Sequence, residues 1–413
     1  MLNKKKILII SPIFPYPLES GGQVRIYNVI KHLSDNFEVS LLSPIESSNR
    51  ESVSEMKRFC RNVETIPVQI DRTNFEKFLF LLNPSQLSRN FKRISQWIQG
   101  TPFKICRFYH PGMENILEKM IRKGKYDIVQ AVYCQMAPYL LRAKELDKNV
   151  TSSLVDIDLS FISKYREYSA KKGIARILSF LEYRRMKNYV TTIWPKFDYT
   201  IAMSEVDKEK LLSLNSELNI IVSPNGVDIN YFRPFKDRKP KKNRLAFLGG
   251  SNHHPNVDAL LYFNSEIFPK VHQYNSDISL TVIGNFAVNL IPNTNNHIKF
   301  TGFVDDFRPV LNDCAILVVP IRIGGGTRLK VLEAMALGIP VVSTSIGCEG
   351  IVVENNKDII IADTDQDFAD GILAVLKTKQ LYQSLAKNGK KLIEEKYSWQ
   401  KIVSRLEDVY QKD

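Results

Sequence analysis

The sequence predicts an α/β protein of two domains, each built on a parallel β-sheet that helices cover on both faces. Short apolar runs such as residues 7–10 and 315–319 alternate with helical segments along most of the chain, and this alternation is typical of parallel sheets. At 413 residues the chain is too long for one ordinary hydrophobic core. Glycines follow several of the apolar runs, which predicts turns at the carboxyl ends of strands, where such sheets bind ligands.

The composition is that of a globular protein without a membrane-spanning segment. Hydrophobic residues make up 44% of the chain and charged residues 24%, as in soluble domains, and no apolar run approaches the ~20 residues of a membrane span. The basic and apolar start lacks a small-residue cleavage site, which favours a first strand over a signal peptide. The five scattered cysteines contain no Cys-x-x-Cys, so we expect reduced, mostly buried thiols in a cytoplasmic protein.

The apolar runs and the turns between them set the predicted elements. First-domain strands are predicted at residues 7–10, 38–43, 63–68, 126–132, 150–155, 197–203 and 219–222, and second-domain strands at 244–248, 279–283, 298–304, 315–319 and 341–344. A first helix is predicted from about residue 24 to residue 33, after Gly21 and Gly22. The polar, proline-bearing run 233–243 is predicted to link the domains. We assign residues 1–232 to the first domain and 240–396 to the second.

The stretch from residue 315 to residue 340 is the most informative part of the chain. A buried strand is followed by Gly324, Gly325 and Gly326, and then by a helix predicted over residues 328–337 with Thr327 as its N-cap. Gly338 and Pro340 are stop signals. Glycines let the backbone approach a ligand closely, and the free N–H groups of a helix start suit an anionic phosphate group.

Two charged residues on this helix, Lys330 and Glu333, are spaced to share one face. The cation near the glycine turn could hold a diphosphate, and the carboxylate one turn further on could accept hydrogen bonds from ribose hydroxyls. An ordinary surface Lys–Glu pair after a flexible loop fits the same spacing. The loop matches neither Gly-x-x-x-x-Gly-Lys-Ser/Thr nor Gly-x-Gly-x-x-Gly.

Two motifs carry a resemblance to a known family. Residues 325–344, GGTRLKVLEAMALGIPVVST, resemble the donor-site signature of the retaining glycosyltransferases of family four, and residues 223–228, SPNGVD, resemble a turn that this family has at the end of its first domain. The resemblance implies the GT-B fold, in which two Rossmann-like domains face each other across a cleft and the last helix, here residues 397–413, crosses back to the first domain. It also implies transfer of a sugar from a nucleotide diphosphate sugar to a hydroxyl group, with retention at the anomeric carbon.

The resemblance also implies roles for single residues. The backbone of the three glycines, together with Arg328 and Lys330, would stabilise negative charge on the leaving diphosphate, and Glu333 would hold the ribose. The other residues that we assign to donor binding are Gly21, Gly22, Gly249, Gly250, Gly302 and Thr327. Two departures limit the comparison. The Arg–Lys pair that many relatives have after the first strand of the second domain is missing, and Gly325 stands where the family often has a sugar-reading glutamate.

Asp156 and Asp158 follow a predicted strand and are candidates for contact with the acceptor or the donor sugar. Both could bind one metal ion only if the strand has already ended, since neighbouring strand positions face opposite sides. GT-B enzymes work without a bound metal, so the resemblance implies no metal site and no cofactor beyond the nucleotide sugar itself, with UDP or GDP as the nucleotide.

The formal net charge is +13, and the basic residues are unevenly distributed along the chain. Residues 164–196 contain nine Lys and Arg against two Glu, and apolar residues at helical spacing lie among them. Such a segment can lie on an anionic membrane surface, and solvated basic helices packed on the sheet fit it equally well. No nucleic-acid-binding motif accompanies the charge, which disfavours that partner, and we expect no nucleic acid to bind. Because the first domain binds the acceptor in this fold, we expect a glycan or lipid-linked acceptor, at the inner face of the cytoplasmic membrane.

Two other functions remain open at this stage. A nucleotide-sugar epimerase can share the fold and the nucleotide contacts, and would convert the donor without any acceptor. A protein that keeps the fold and stabilises an active transferase, without catalysis of its own, would match the same motifs.

Overall fold

The computed structural model describes residues 4–46, 50–67, 87–236, 238–292, 296–324 and 326–412. Gly325, one of the predicted donor-site glycines, lies outside the described residues. The chain divides into two compact units. The first unit comprises Met1–Ser223 and Val403–Asp413, and the second comprises Pro224–Ile402.

The first unit is built on a seven-stranded parallel sheet with the strand order β3-β2-β1-β4-β5-β6-β7. Its strands are β1 (Lys6–Ile10), β2 (Glu38–Ile45), β3 (Asn62–Pro67), β4 (Ile128–Val132), β5 (Thr151–Val155), β6 (Tyr199–Ala202) and β7 (Ile220–Val222). Its helices are α1 (Gly21–Leu33), α2 (Arg50–Met56), α3 (Leu87–Ile98), α4 (Phe103–Cys106), α5 (Pro111–Gly124), α6 (Ala137–Leu146), α7 (Ser160–Ala170), α8 (Gly173–Ile193) and α9 (Glu205–Leu212). The central strands are buried on both faces, as in other parallel sheets.

The second unit is built on a six-stranded parallel sheet with the order β10-β9-β8-β11-β12-β13. Its strands are β8 (Lys241–Leu248), β9 (Ser279–Ile283), β10 (Ile298–Phe300), β11 (Cys314–Val319), β12 (Val341–Ser343) and β13 (Ile360–Ile361). Its helices are α10 (His254–Tyr262), α11 (Phe268–Tyr274), α12 (Arg308–Asn312), α13 (Leu329–Ala336), α14 (Asp365–Lys377) and α15 (Lys379–Leu392).

The last helix, α16 (Trp399–Lys412), has a buried anchor at each end. Trp399 belongs to the second unit, where a Cβ added to Gly226 would lie 2.7 Å from its Cδ2 atom. Tyr410 belongs to the first unit, and its hydroxyl donates to Gln130 Oε1 at 2.7 Å and lies 2.9 Å from Ser153 Oγ. The aromatic residues at the two ends of the helix are therefore core residues.

The predicted parallel α/β architecture is confirmed, but the bounds of several elements differ from the predicted ones. Strand β10 ends at Phe300 rather than at residue 304, and the starts of α1 and β8 have identifiable causes. Helix α1 begins at Gly21 rather than near Val24, because the Ser20 hydroxyl caps it by accepting from Gln23 N. The two glycines therefore lie inside the first turn. Strand β8 begins at Lys241, inside the predicted linker, because residues of the linker's end pair with β11.

The five cysteines are all buried free thiols, as predicted. Helix α9 is capped by Ser204, whose hydroxyl accepts from Asp207 N at 3.1 Å. Strand β13 was not predicted, because two residues are too short a run to show a period.

Candidate functional site

The glycine loop of the second unit follows the fully buried strand β11. Gly324 has φ +101° and Gly326 has φ +84°, backbone conformations that side chains disfavour. A Cβ added to Gly324 would also lie 3.0 Å from Arg328 Nη2 and 3.1 Å from Pro255 Cγ. The loop therefore needs glycine at position 324, both for its turn and for the close approach of the Arg328 guanidinium.

Helix α13 begins at Leu329, with Arg328 in the cap position. The prediction that Thr327 is the N-cap is wrong: the Thr327 hydroxyl is buried, and its oxygen has no hydrogen-bond partner among the described residues. The helix turns its apolar face to the core, and Gly338, with φ +68°, follows its end. Burial of that face places Lys330 and Glu333 on the opposite side, where both are half-buried.

Lys330 is held by a residue that the sequence analysis missed. Its Nζ donates to Asn256 Oδ1 at 3.0 Å and lies 5.2 Å from the centroid of the Phe247 ring. Asn256 in turn donates from Nδ2 to the Gly250 carbonyl at 3.1 Å. A Cβ on Gly249 would lie 2.7 Å from Asn256 Cγ, so the glycine pair after β8 leaves room for the amide that positions Lys330. The sequence feature that could have identified Asn256 is its position, as a polar residue in the first turn of the helix that follows a strand and two glycines.

Burial moves the pKa values of both charged residues on α13 towards neutrality. It lowers the pKa of Lys330 to about 7, assisted by the nearby Arg328 cation and opposed by Glu333. It raises the pKa of Glu333 to about 7, against the attraction of Lys330. Within the described part of the chain, no group donates a hydrogen bond to the Glu333 carboxylate. Its oxygens are therefore available to a ligand's hydroxyl groups.

Gly302 is another glycine of the second unit that was predicted to bind the donor. It follows β10 and has φ +69°. Its carbonyl accepts from Gly284 N at 3.2 Å, and a Cβ on it would meet open space. The left-handed backbone rather than close packing therefore favours glycine here.

In the first unit, Asp156 and Asp158 follow the end of β5 and have different environments. Asp156 is 1% exposed, and neither carboxylate oxygen has a hydrogen-bond partner among the described residues. Burial raises the pKa of Asp156 to about 8, with Lys104 opposing the shift and Asp158 and Asp207 adding to it. Asp158 is exposed. The described residues contain no group of three or more His, Cys, Asp or Glu side chains that could hold a metal ion.

Tyr133 lies beside the glycine pair of α1 and was not identified from the sequence. It follows β4 and has φ +69°, a rare conformation for a non-glycine residue. Its hydroxyl oxygen lies only 2.1 Å from where a Cβ on Gly22 would be, so Gly22 makes room for the phenol. Burial raises the Tyr133 pKa, and the Asp158 charge adds to this effect. Backbone strain of this kind is concentrated at functional sites, but no local sequence pattern reveals it.

The second unit contains the part of the chain that matches a known protein family. Residues 242–378 match the family described as glycosyl transferases group 1. An uncharacterized 44.6 kDa protein in the cps region of Klebsiella pneumoniae is 24% identical over 97% of this chain and 98% of its own length. An uncharacterized glycosyltransferase of Methanocaldococcus jannaschii is 23% identical over 56% of this chain and 63% of that protein. The family match concerns the second unit, and the Klebsiella relative extends the similarity over most of the chain.

Solved structures agree on the architecture. Sucrose-phosphate synthase from Thermosynechococcus elongatus superposes with a TM-score of 0.69 and 15% identity over 99% of both chains. The Anabaena protein HepE in complex with UDP-glucose gives a TM-score of 0.63 and 14% identity, covering 99% of this chain and all of its own. At these identities the likeness concerns the fold alone. The fold is GT-B, as the sequence motifs implied.

Proposed function

We propose that this protein transfers a sugar from a nucleotide diphosphate sugar to a hydroxyl group of an acceptor, with retention at the anomeric carbon. The observation that carries the proposal is the arrangement around α13 in the second unit. There the Gly324 turn, the Arg328 guanidinium, the Asn256-held ammonium of Lys330 and the available carboxylate of Glu333 lie on one loop–helix segment and its immediate neighbours.

The donor's diphosphate would bind at the glycine turn, beside the backbone N–H groups and the cations of Arg328 and Lys330. Lys330 has a pKa of about 7, so an arriving dianion would favour its charged form. Glu333 would accept hydrogen bonds from the ribose hydroxyls. The UDP-glucose bound to the Anabaena protein supports a nucleotide-sugar donor for this chain, with UDP or GDP as the nucleotide.

In the chemical step, the bond between the anomeric carbon and the leaving phosphate oxygen breaks, and its electron pair moves to that oxygen. The acceptor oxygen bonds to the same face of the sugar, and its proton passes to the leaving phosphate, so the step needs no separate base. Negative charge grows on the diphosphate, and fixed cations stabilise it more than they stabilise the bound donor. Arg328 and Lys330 are the groups that we assign to this role.

The first unit would bind the acceptor. Of the two aspartates after β5, the exposed Asp158 is better placed to contact a ligand than the buried Asp156. The assignment of Gly21 and Gly22 to the donor phosphates stays a prediction. A glycan or lipid-linked acceptor, reached from the cytoplasm, is favoured by the likeness to a protein of a Klebsiella cps region.

A panel of UDP-, GDP-, ADP- and dTDP-sugars tests the proposal. A donor that binds the folded protein raises the melting temperature, and the rise grows with the logarithm of the donor concentration once that exceeds the Kd. We expect one nucleotide class to stabilise the protein and the sugar to reach an acceptor with its anomeric configuration kept. Conversion of the donor without acceptor would instead indicate an epimerase. Donor binding without turnover, restored by a second protein, would indicate a non-catalytic partner.

Metal independence has its own test. Backbone N–H groups and side-chain cations take the place of a divalent ion in this proposal, so EDTA should leave the transfer rate unchanged. Complete loss with EDTA, reversed by Mg²⁺ or Mn²⁺, would mean that a metal ion completes the site.

A further inference from the structure

Helices α7 and α8 of the first unit form a hairpin that exposes apolar side chains to solvent. Ile174, Ile177, Leu178 and Leu181 are 78%, 61%, 60% and 48% exposed, respectively. Their spacing places them on neighbouring turns of α8, and together they form a stripe that we call the apolar stripe. Helix α8 packs on the core of the first unit through Met186 and Val190, whereas this stripe is left exposed on its outer side. Contiguous exposed apolar surface of this kind marks a binding surface.

Further exposed apolar residues lie next to the stripe. Glu182 accepts hydrogen bonds from Trp97 Nε1 at 3.2 Å and from Phe103 N at 3.0 Å, which holds both residues against α8. Arg185 lies over the Trp97 ring at 4.6 Å. Trp97, Ile98 and Phe103 are themselves exposed. The apolar surface thus extends from α8 to the end of α3.

Aromatic packing makes the hairpin rigid. Tyr165 and Tyr168 of α7 contact Phe180 and Tyr183 of α8, with ring centroids 5.2 Å apart for Tyr168–Phe180 and 5.3 Å for Tyr165–Tyr183. The apolar stripe is therefore presented on a braced pair of helices rather than on a mobile loop.

The charge around the stripe is positive. Five exposed cations on the hairpin make no ion pair within the described ranges, namely Arg166, Lys172, Arg176, Arg184 and Lys187. The two carboxylates of the hairpin do not form ion pairs with these five cations. Glu167 pairs with Lys164 and Lys171, and Glu182 has Arg185 and the two hydrogen bonds described above. The cations therefore give the stripe an uncompensated positive rim.

We propose that the apolar stripe and its basic rim bind an anionic lipid bilayer, with the aliphatic side chains in the headgroup region and the cations on lipid phosphates. A second copy of the chain fits less well, because pairing two such surfaces would bring their like charges together. None of the described helices has the length and apolar character of a membrane span, so the contact is one of a surface-lying helix. The proposal is independent of the sugar chemistry, since vesicle binding needs no donor.

Intrinsic fluorescence of the unmodified protein tests the contact. The chain has three tryptophans. Trp194 and Trp399 are fully buried, and Trp97 is exposed beside the stripe. Vesicles containing brominated phosphatidylglycerol should quench Trp97, whereas phosphatidylcholine vesicles with the same bromine content should not. Trp97→Phe should remove the quenching but leave most vesicle binding intact. Binding without quenching, or equal quenching by both lipids, would overturn the proposal.

Paired substitutions separate apolar insertion from general charge. Ile177→Ser with Leu178→Ser, which leaves the net charge unchanged, should weaken binding to phosphatidylglycerol vesicles at least tenfold, and Val352→Ser, at a 63% exposed position of the second unit, should have no effect. Lys172→Gln with Arg184→Gln should weaken binding to phosphatidylglycerol vesicles about tenfold at low salt. Lys379→Gln with Lys387→Gln changes the net charge equally at exposed positions of the second unit, and should leave binding nearly unchanged.

Two results would contradict this assignment. Equal losses in the two charge pairs would mean that net charge alone attracts the protein to vesicles. A concentration-dependent dimer in sedimentation, abolished by Ile177→Ser with Leu178→Ser, would assign the stripe to a second copy. The substituted side chains are solvent-exposed, and an unchanged melting temperature and circular dichroism spectrum in each variant would show that the fold is retained.

Discussion

Glu333 in the second unit and Asp156 in the first are both carboxyl groups whose pKa burial raises, yet their surroundings differ. Glu333 is half-buried on a helix face beside Lys330, and its pKa is about 7. Asp156 is almost completely buried and has no hydrogen-bond partner among the described residues, and its pKa is about 8. An accessible carboxylate with a nearby cation can receive a ligand, whereas a buried one without partners is kept protonated. We therefore expect substitutions at the first position to change binding, and at the second to change stability.

The largest effect should come from the cation beside Glu333. Lys330→Ala should lower kcat about 100-fold or more, because charge on the leaving diphosphate grows towards the transition state. Donor affinity should fall much less. Steady-state kinetics at saturating donor measure this, with Lys379→Ala, an exposed lysine of the same unit, as control. A variant that changes only KM would remove Lys330 from the leaving-group role and leave Arg328 as the candidate.

Glu333→Ala should act mainly on donor binding. The loss of a charged hydrogen bond to the ribose should cost about 1–3 kcal/mol, or roughly 5- to 150-fold in Kd. Titration calorimetry with the preferred nucleotide sugar measures it, and Glu395→Ala, an exposed glutamate of the second unit, is the control. Equal donor affinity in the variant and the unmodified protein would exclude Glu333 from the site.

The pKa values of the pair predict a pH optimum for donor binding near 7. Above this pH the unliganded Lys330 loses its proton, so affinity should fall by up to about tenfold per pH unit. Below it Glu333 gains a proton and accepts ribose hydrogen bonds less well. Binding enthalpies at pH 8, measured in two buffers of different ionisation enthalpy, should show proton uptake. The uptake should vanish in Lys330→Ala, and its persistence there would mean that another group titrates.

Asp156→Asn should change stability rather than turnover, and its stabilising effect should grow as pH rises from about 4 to about 8 and stay constant above that. The folded-state pKa of Asp156 is raised from 3.8 to about 8, so the folded protein holds this proton more tightly than the unfolded chain, and the associated stability is lost as pH rises between these values. Asparagine removes that loss. Urea unfolding at several pH values should therefore show a flatter pH dependence for Asp156→Asn. Asp158→Asn, at the exposed neighbour, should follow the unmodified protein, and identical slopes in all three proteins would show that Asp156 does not titrate as described.

The local pattern of apolar and polar residues was enough to predict most of the strands and helix faces. Strand β11 was predicted at residues 315–319 and spans Cys314–Val319, because a short apolar run can only be stable where both faces are covered. The Lys330–Glu333 face was predicted from the helical period, since burying the apolar side of an eight-residue helix leaves the other side outward. Helix starts were predicted less well. At Ser20 and Arg328 the cap depends on backbone angles that glycine-rich sequence does not specify.

Tertiary structure alone decided what covers each face. The bond from Lys330 to Asn256 joins residues 74 positions apart, and the fit of Tyr133 against Gly22 depends on a positive φ that no residue pattern predicts. The pattern of Ile174 to Leu181 was equally consistent with a buried and an exposed helix face, and only packing showed that solvent covers it. The physical reason is common to these cases. Periodicity shows which side chains share a face, but the neighbour of that face comes from distant parts of the chain.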